Sequence, residues 1–282
     1  MRQISAQIIT WDPREDETYL NGSQLKLTKQ GVIFKNDLMS PGKALVTWHS
    51  QQNYQASRRL AKLPLLQRGA HYKIKLKADL KTQGALYVKL SFYSRFGELL
   101  ATEFIKEKTG SFTYPKDAYE YKLELINAGV KEVHFEYVLL ADAQLELGDD
   151  YCYQSTPPLT DELAVVFSEP TLRAILTVPR QKGTMIFSAL KAEVYYKDEI
   201  AKQIATLFES KKKLAFVGNG PLSDLVAVKY GAKYDLPAFV TTKAAAGAGG
   251  KVSVYYHDVV APDKLAQKLY INNVAYDNLR VK

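Results

Sequence analysis

Cysteine is nearly absent: Cys152 is the single one in 282 residues. That excludes an intramolecular disulfide framework and any zinc site built from several thiolates, and it fits a reducing compartment. Long hydrophobic runs are also missing. No uncharged apolar stretch approaches the roughly 18 residues that a membrane-spanning helix needs. The opening residues, MRQISAQIITWDPRED, have no apolar core and soon turn acidic, so no secretory leader is expected in them. Histidine is sparse. His49, His71, His134 and His257 stand far apart, which leaves no pair at helical metal-ligand spacing. Neither a metal nor a cofactor is expected.

What charge there is lies dispersed. The net charge of +8 comes from 38 Lys+Arg against 30 Asp+Glu, with 21 basic and 18 acidic side chains in residues 1–156 and 17 and 12 in 157–282. Only Arg58-Arg59 and Lys211-Lys212-Lys213 are dense basic runs. A nucleic-acid binder concentrates its charge on one element or face, so no nucleic-acid partner is expected. Attraction to anionic lipid headgroups would be weak, which allows at most a peripheral contact with the inner face of the cell membrane. The chain reads as a soluble, cytoplasmic protein. An apolar fraction of 46% suffices for real cores and argues against disorder.

Two hydrophobic periods divide the chain. In the first half apolar residues alternate with polar ones. Tyr72, Ile74, Leu76, Ala78 and Leu80 share one face, with His71, Lys73, Lys75, Lys77 and Asp79 opposite. That is the pattern of a half-buried strand. Ala85–Tyr93, Tyr121–Ile126 and Val133–Leu139 repeat it, with shorter strands expected at Ile4–Ile9, Gln24–Leu27, Val32–Lys35 and Ala44–Trp48. Gly- and Asn-containing turns separate them, which predicts an antiparallel β-sandwich of the jelly-roll kind over 1–153. Gln154 to Pro158 has two prolines and no core pattern, so 154–158 reads as a linker.

Downstream, over 159–282, the pattern becomes strand, helix, strand, helix. Leu163–Ser168, Leu214–Val217, Ala238–Thr242 and Val252–Tyr256 are short apolar runs. Asp198 can cap a helix carrying Ile200, Ile204, Leu207 and Phe208, and Leu222–Tyr234 fits a second helix. Alternation of this kind predicts a small α/β domain with a parallel sheet. The Gly-rich stretch Lys243–Gly250 lacks the Lys-Ser/Thr ending of a P-loop and reads as a loop between strands.

Within that half, Gly218-Asn219-Gly220 joins a buried strand to a helix. The unit resembles the strand–elbow–helix of α/β-hydrolases, whose G-x-S-x-G turn exposes a serine nucleophile. Aligned on Gly218, the nucleophile position holds Gly220 and the last glycine is Leu222. The attacking hydroxyl is missing, Ser223 lies inside the predicted helix, and His257 sits in an expected surface loop. The reading is a degenerate, non-catalytic hydrolase-like unit. In the first half, Trp48, Asn53 and Tyr54 beside Arg58 and Arg59 are candidates for contact with glycan or a partner protein, because Trp and Tyr combine apolar faces with polar edges.

Two stretches carry a family resemblance: Asn36–Leu66, NDLMSPGKALVTWHSQQNYQASRRLAKLPLL, and Gly110–Leu140, GSFTYPKDAYEYKLELINAGVKEVHFEYVLL. With Thr18–Ser23 they resemble the third accessory secretory protein of the accessory Sec system, which exports serine-rich glycoprotein adhesins in Gram-positive bacteria. The resemblance covers roughly residues 10–145. It implies a non-catalytic subunit that works with a glycosyltransferase-like and a serine-hydrolase-like sister protein, the accessory motor ATPase and the serine-rich glycoprotein substrate. The sandwich also resembles carbohydrate-binding modules, with Val133–Leu140 and Ala143–Gly148 as its closing strands. Residues 159–282 are an extension that the resemblance leaves unexplained. The competing expectation is a glycan esterase or acyltransferase that uses the sandwich as a sugar-binding module.

Overall fold

The computed structural model describes residues 4–57, 60–155, 162–168, 175–178, 184–189, 192–210, 213–241 and 251–254. Two compact units divide the chain: Gln7–Ala143, and Met1–Ala6 with Gln144–Lys282.

The first unit is built from the second half of β1 (Ile4–Ile9), β2 (Glu17–Thr18), β3 (Gln24–Leu27), β4 (Val32–Lys35), β5 (Ala44–His49), β6 (His71–Leu80), β7 (Ala85–Tyr93), β8 (Leu99–Ile105), β9 (Thr109–Thr113), β10 (Glu120–Ala128) and β11 (Glu132–Asp142), with one helical turn, α1 (Tyr54–Ser57). One sheet runs β2-β5-β10-β7-β8. The other centres on β11, which takes β6 on one side and β4 with β3 beyond it on the other, while β9 pairs with β6. Successive strands mostly pass from one sheet to the other, as in a jelly roll.

The alternation read from the sequence is what closes this sandwich. Leu86, Val88, Leu90 and Phe92 of β7 and Tyr121, Leu123 and Leu125 of β10 face Val133, Phe135 and Val138 of β11 in one core, with Phe34 and Trp48 among them. The edge strands β8 and β9 escape the period-two reading, because an edge strand buries too few residues to show it.

The second unit comprises β12 (Glu146–Leu147), β13 (Tyr151–Ser155), β14 (Glu162–Ser168), β15 (Ile175–Val178), β16 (Thr184–Ala189), a 3-10 turn η1 (Ala192–Tyr196), α2 (Asp198–Glu209), β17 (Lys213–Asn219), α3 (Pro221–Tyr234), β18 (Ala238–Val240) and β19 (Val252–Val254). Its sheet runs β12-β13-β16-β14-β17-β18-β19, parallel from β16 to β19 and antiparallel at β13 and β12. Phe187, Phe167 and Phe216 stand on neighbouring strands with centroids 6.1 and 6.3 Å apart, and Tyr230 of α3 stacks on Phe167 at 5.4 Å. Ile200 and Ile204 of α2 join the same core.

Two sequence expectations need correction here. Gln154 and Ser155 are strand rather than linker: β13 pairs Tyr151–Ser155 with β16, so residues read as the end of the sandwich and the start of a linker belong to the α/β sheet. Cross-strand hydrogen bonding overrides a weak local pattern at that point, and residues 156–158 lie outside the described set. Asp198 is the first helical residue of α2, not its cap, which is Lys197. An acidic first turn still suits the helix dipole.

Candidate functional site

Of the residues expected to meet glycan or a partner, Trp48, Asn53, Tyr54, Arg58 and Arg59, the structure buries Trp48. Trp48 lies on β5 with 1% exposure, its indole 5.8 Å from the Phe135 ring, so it is core and offers no surface to a ligand. The reason is register: Trp48 stands opposite Leu123, an inward position of β10. Its Nε1–H closes no hydrogen bond, although it faces the Asp16 carboxyl, which burial holds above the usual carboxylate range. Lys62 meets Asp16 at 2.9 Å and ties the segment after α1 to the sandwich. Asn53 and Tyr54 do come together at the surface. The Asn53 side chain accepts the Gln55 N–H at 3.0 Å, opening α1, and Tyr54 is 55% exposed. Arg58 and Arg59 lie outside the described residues.

A polar face that the sequence did not single out lies one residue out of phase with Trp48. The five-stranded sheet turns Thr47 and His49 of β5, Lys122 and Glu124 of β10, Tyr87, Lys89, Ser91 and Tyr93 of β7, and Thr102 and Phe104 of β8 away from the core. Register aligns His49, Lys122, Ser91 and Thr102 in one row across four strands. Glu17, Thr47, Glu124, Lys89 and Phe104 form the next row. Lys89 pairs with Glu124 at 2.8 Å, His49 with Glu17 at 2.9 Å, and the Lys122 ammonium sits 5.2 Å from the centre of the Tyr93 ring. Ser91 is buried although it points away from the core. The result is a shielded floor of fixed donors and acceptors bordered by Tyr87, Tyr93 and Phe104. Such a surface suits a neutral polyhydroxyl ligand, with rings for its apolar faces and paired charges for its hydroxyls. Each position alone reads as the wet side of a strand. Only the cross-strand register, invisible in a single sequence, assembles the face.

The Gly218–Gly220 turn joins β17 to α3. Gly218 ends the buried part of β17, and Gly220 has φ +138°, a conformation open to glycine alone. Pro221 then opens α3 at a position where its missing N–H costs nothing. A Cβ on Gly218 would lie 2.4 Å from the Asp224 Cα and 2.6 Å from its nitrogen, so the first turn of α3 packs directly on the strand. Of Asn219 only the backbone position, at the end of β17, is described.

The polar groups near this turn are turned inward. Ser223 is fully buried and its Oγ donates to the Gly220 carbonyl at 3.1 Å. Asp224 is fully buried and accepts the Thr241 N–H at 3.0 Å and the Thr241 hydroxyl at 2.7 Å. In chain order the parallel strands run second, first, third, fourth, fifth across the sheet, a doubly wound order that places sites beyond the strand ends where the order reverses. Here that end is closed by its own side chains. The Tyr195 hydroxyl donates to the Ser168 carbonyl at the end of β14 and accepts the Ala189 N–H at 3.1 Å. The turn therefore has the shape of an elbow and presents no hydroxyl. His257 falls outside the described residues.

Among the described residues no group of His, Cys, Asp and Glu is placed to hold a metal ion, and no helix is long and apolar enough to cross a membrane.

Comparison with known proteins adds a family assignment. A family model described as Accessory Sec secretory system ASP3 matches residues 18–142. The chain is similar to the accessory Sec system protein ASP3 of Streptococcus gordonii, 34% identical over 123 residues that cover 43% of this chain and 77% of that protein. It is also similar to the protein of the same name from Staphylococcus aureus (strain NCTC 8325 / PS 47), 26% identical over 169 residues, 58% of this chain and 53% of the other. The chain thus spans about half the length of the Staphylococcus aureus relative. A chain in the crystal structure of accessory secretory protein 1,2 and 3 in Streptococcus pneumoniae is 34% identical, with TM-score 0.46, over 48% of this chain and 95% of that one.

Proposed function

The chain belongs to the accessory Sec secretory system ASP3 family, and on that premise we propose that it is a non-catalytic subunit of that export apparatus. Its partners are the glycosyltransferase-like and serine-hydrolase-like sister proteins, the accessory motor ATPase and the serine-rich glycoprotein on its way out of the cell. It works in the cytoplasm, with at most a peripheral contact with the inner face of the membrane.

The observation that carries the non-catalytic reading is the elbow. Gly220 stands at the position of an attacking serine, and the neighbouring hydroxyl of Ser223 is buried and committed to the Gly220 carbonyl. A nucleophile needs an exposed oxygen within reach of a base; this turn supplies neither. The α/β unit is then a hydrolase-like fold kept as a docking surface, and the sandwich is the part that meets glycan, through the open face bearing Lys89, Lys122, Glu124 and Tyr93. That places the sugar contact away from Trp48.

The test begins with affinity purification of the tagged protein from its own host at moderate salt, with mass spectrometry of what accompanies it. Stoichiometric recovery of the sister proteins, the motor ATPase or a serine-rich glycoprotein supports the assignment, and recovery of the protein alone removes it. In parallel, generic ester substrates are offered to the purified chain. Hydrolysis that disappears in Ser223→Ala or His257→Ala would establish the esterase instead.

A further inference from the structure

The edges of the sandwich differ in how they end. β2 is two residues long. β3 is four residues and carries Lys26, and β9 is the polar run Thr-Gly-Ser-Phe-Thr. These are the short or polar edges with which proteins discourage sheet-to-sheet association. β8 departs from them. It is seven residues long, Leu-Leu-Ala-Thr-Glu-Phe-Ile, without Lys or Pro, and after a bulge at Leu99–Leu100 it runs regularly from Ala101 to Ile105. It pairs with β7 on one side and ends the sheet on the other. Leu99 is 59% exposed, Leu100 41% and Phe104 51%, and Phe96 in the preceding turn is 88% exposed. A strand of this length with three exposed large apolar side chains is a template for another strand.

We propose that a second copy of this chain occupies it, through antiparallel β8–β8 pairing centred on Thr102. The choice of partner follows from register. A two-fold axis that pairs two identical edge strands antiparallel stands perpendicular to the sheet, so outward residues meet outward residues and the axis passes through a residue. Three centres keep most of the strand paired. Centring on Glu103 sets two carboxylates against each other. Centring on Ala101 carries each Glu103 carboxylate into the apolar Leu99–Leu100 bulge of the other copy. Centring on Thr102 places the small Ala101 against Glu103, which leaves the carboxylate room to reach water, and brings each Phe104 to the Leu99–Leu100 bulge of the other copy, where regular pairing stops. The strand is thus self-complementary in its exposed apolar side chains.

The perpendicular axis has a second consequence. It keeps both open faces on the same side, so a ten-stranded sheet would display two polar floors side by side. An interface made of one strand from each copy is small, so the dimer should dissociate on dilution rather than persist as an obligate pair.

The experiment uses the full chain. Sedimentation equilibrium of the wild type between about 1 and 200 μM should show a concentration-dependent dimer. Thr102→Cys should form an intermolecular disulfide under mild oxidation, because directly opposite Cβ atoms lie roughly 4.5–5.5 Å apart. Cys152 is buried and does not compete. Lys26→Cys, on the other sheet's edge, serves as the collision control. Phe104→Lys replaces an exposed ring, leaves the fold intact by circular dichroism, and should raise the dimer dissociation constant by about tenfold or more. A wild type that stays monomeric throughout, a Thr102→Cys cross-link no faster than that of Lys26→Cys, or a dimer indifferent to Phe104→Lys each overturns the proposal.

Discussion

The two units solve opposite problems of burial. In the sandwich the five-stranded sheet keeps one face for the core and turns the other outward, so Tyr121, Leu123 and Leu125 of β10 are buried while Lys122 and Glu124 between them stay partly accessible. In the α/β unit the central strands β14, β16 and β17 bury residues on both faces. Phe167, Phe187 and Phe216 are buried on one side and Val166, Ile186 and Val217 on the other. A ligand can therefore be read across the face of the first sheet but only beyond the ends of the second, and those ends are taken up by Tyr195, Ser223 and Asp224. On the proposed function the open sheet carries recognition and the closed one is a body to be held.

The largest effect should come from the layer that closes the second sheet. The Phe167 ring touches Phe187, Phe216, Tyr195 and Tyr230, so Phe167→Ala is expected to cost about 3–5 kcal/mol. Hydrogen exchange should show protection lost in β14, β16, β17 and α3 while β7, β10 and β11 keep theirs. Loss spread evenly over both units would break the division between them.

Next comes the elbow. Gly218→Ala forces a methyl onto the Asp224 backbone, which cannot swing away as a side chain can, and about 1–3 kcal/mol of destabilisation should follow. Urea unfolding measures it. A neutral result would mean that α3 does not sit tightly on β17, and the hydrolase-like reading of the turn would lose its geometry.

How much of this was legible in the sequence depends on how each unit buries itself. Alternation made β6, β7, β10 and the first half of β11 readable because inward residues there alternate with partly exposed ones. Short apolar runs located β14, β17 and β18 for the opposite reason. β16 was missed: Thr184–Ala189 is buried at all six positions and half of it is Thr, Ser and Ala, so neither pattern marks it. The site divided in the same way. The Gly218–Gly220 turn shows in the local sequence because its constraint is local. The open sheet face does not, since Lys89, Lys122 and His49 become neighbours only through pairings set by a distant core. Trp48 misled because ring chemistry is visible in a sequence and the facing direction of a strand residue, at the edge of a four-residue buried run, is not.

Alkali offers a third comparison. Burial pushes the Cys152 thiol, Tyr151 and Tyr230 each up to about 12 in the α/β unit. In the sandwich, burial raises Tyr121 well above the ordinary phenol range. The unfolded chain releases these protons at ordinary values while the folded one keeps them. The stabilisation they represent is intact below about pH 9 and is lost as pH climbs toward 12. Thermal unfolding across that window should fall, and Cys152→Ala should flatten the fall. At neutral pH the thiol, buried and protonated, should resist iodoacetamide until the protein is unfolded.

The smallest change in stability should accompany the largest change in recognition. Lys89 and Glu124 form a half-exposed pair, 29% and 19% exposed, on the open sheet face, and pairs of that kind contribute about 1 kcal/mol or less. Lys89→Met and Tyr93→Ala should therefore unfold within about 1 kcal/mol of the wild type. Trp48→Ala should lose about 3–5 kcal/mol, because it empties the core beside Phe135. Binding of glycosylated serine-rich peptide, followed by calorimetry, should rank the three in the other order: weakened in the two surface variants, and retained by Trp48→Ala at temperatures where it stays folded. If folded Trp48→Ala loses the glycan while Tyr93→Ala keeps it, the open face is not the reading surface, and the wet side of the sandwich is only its solvent boundary.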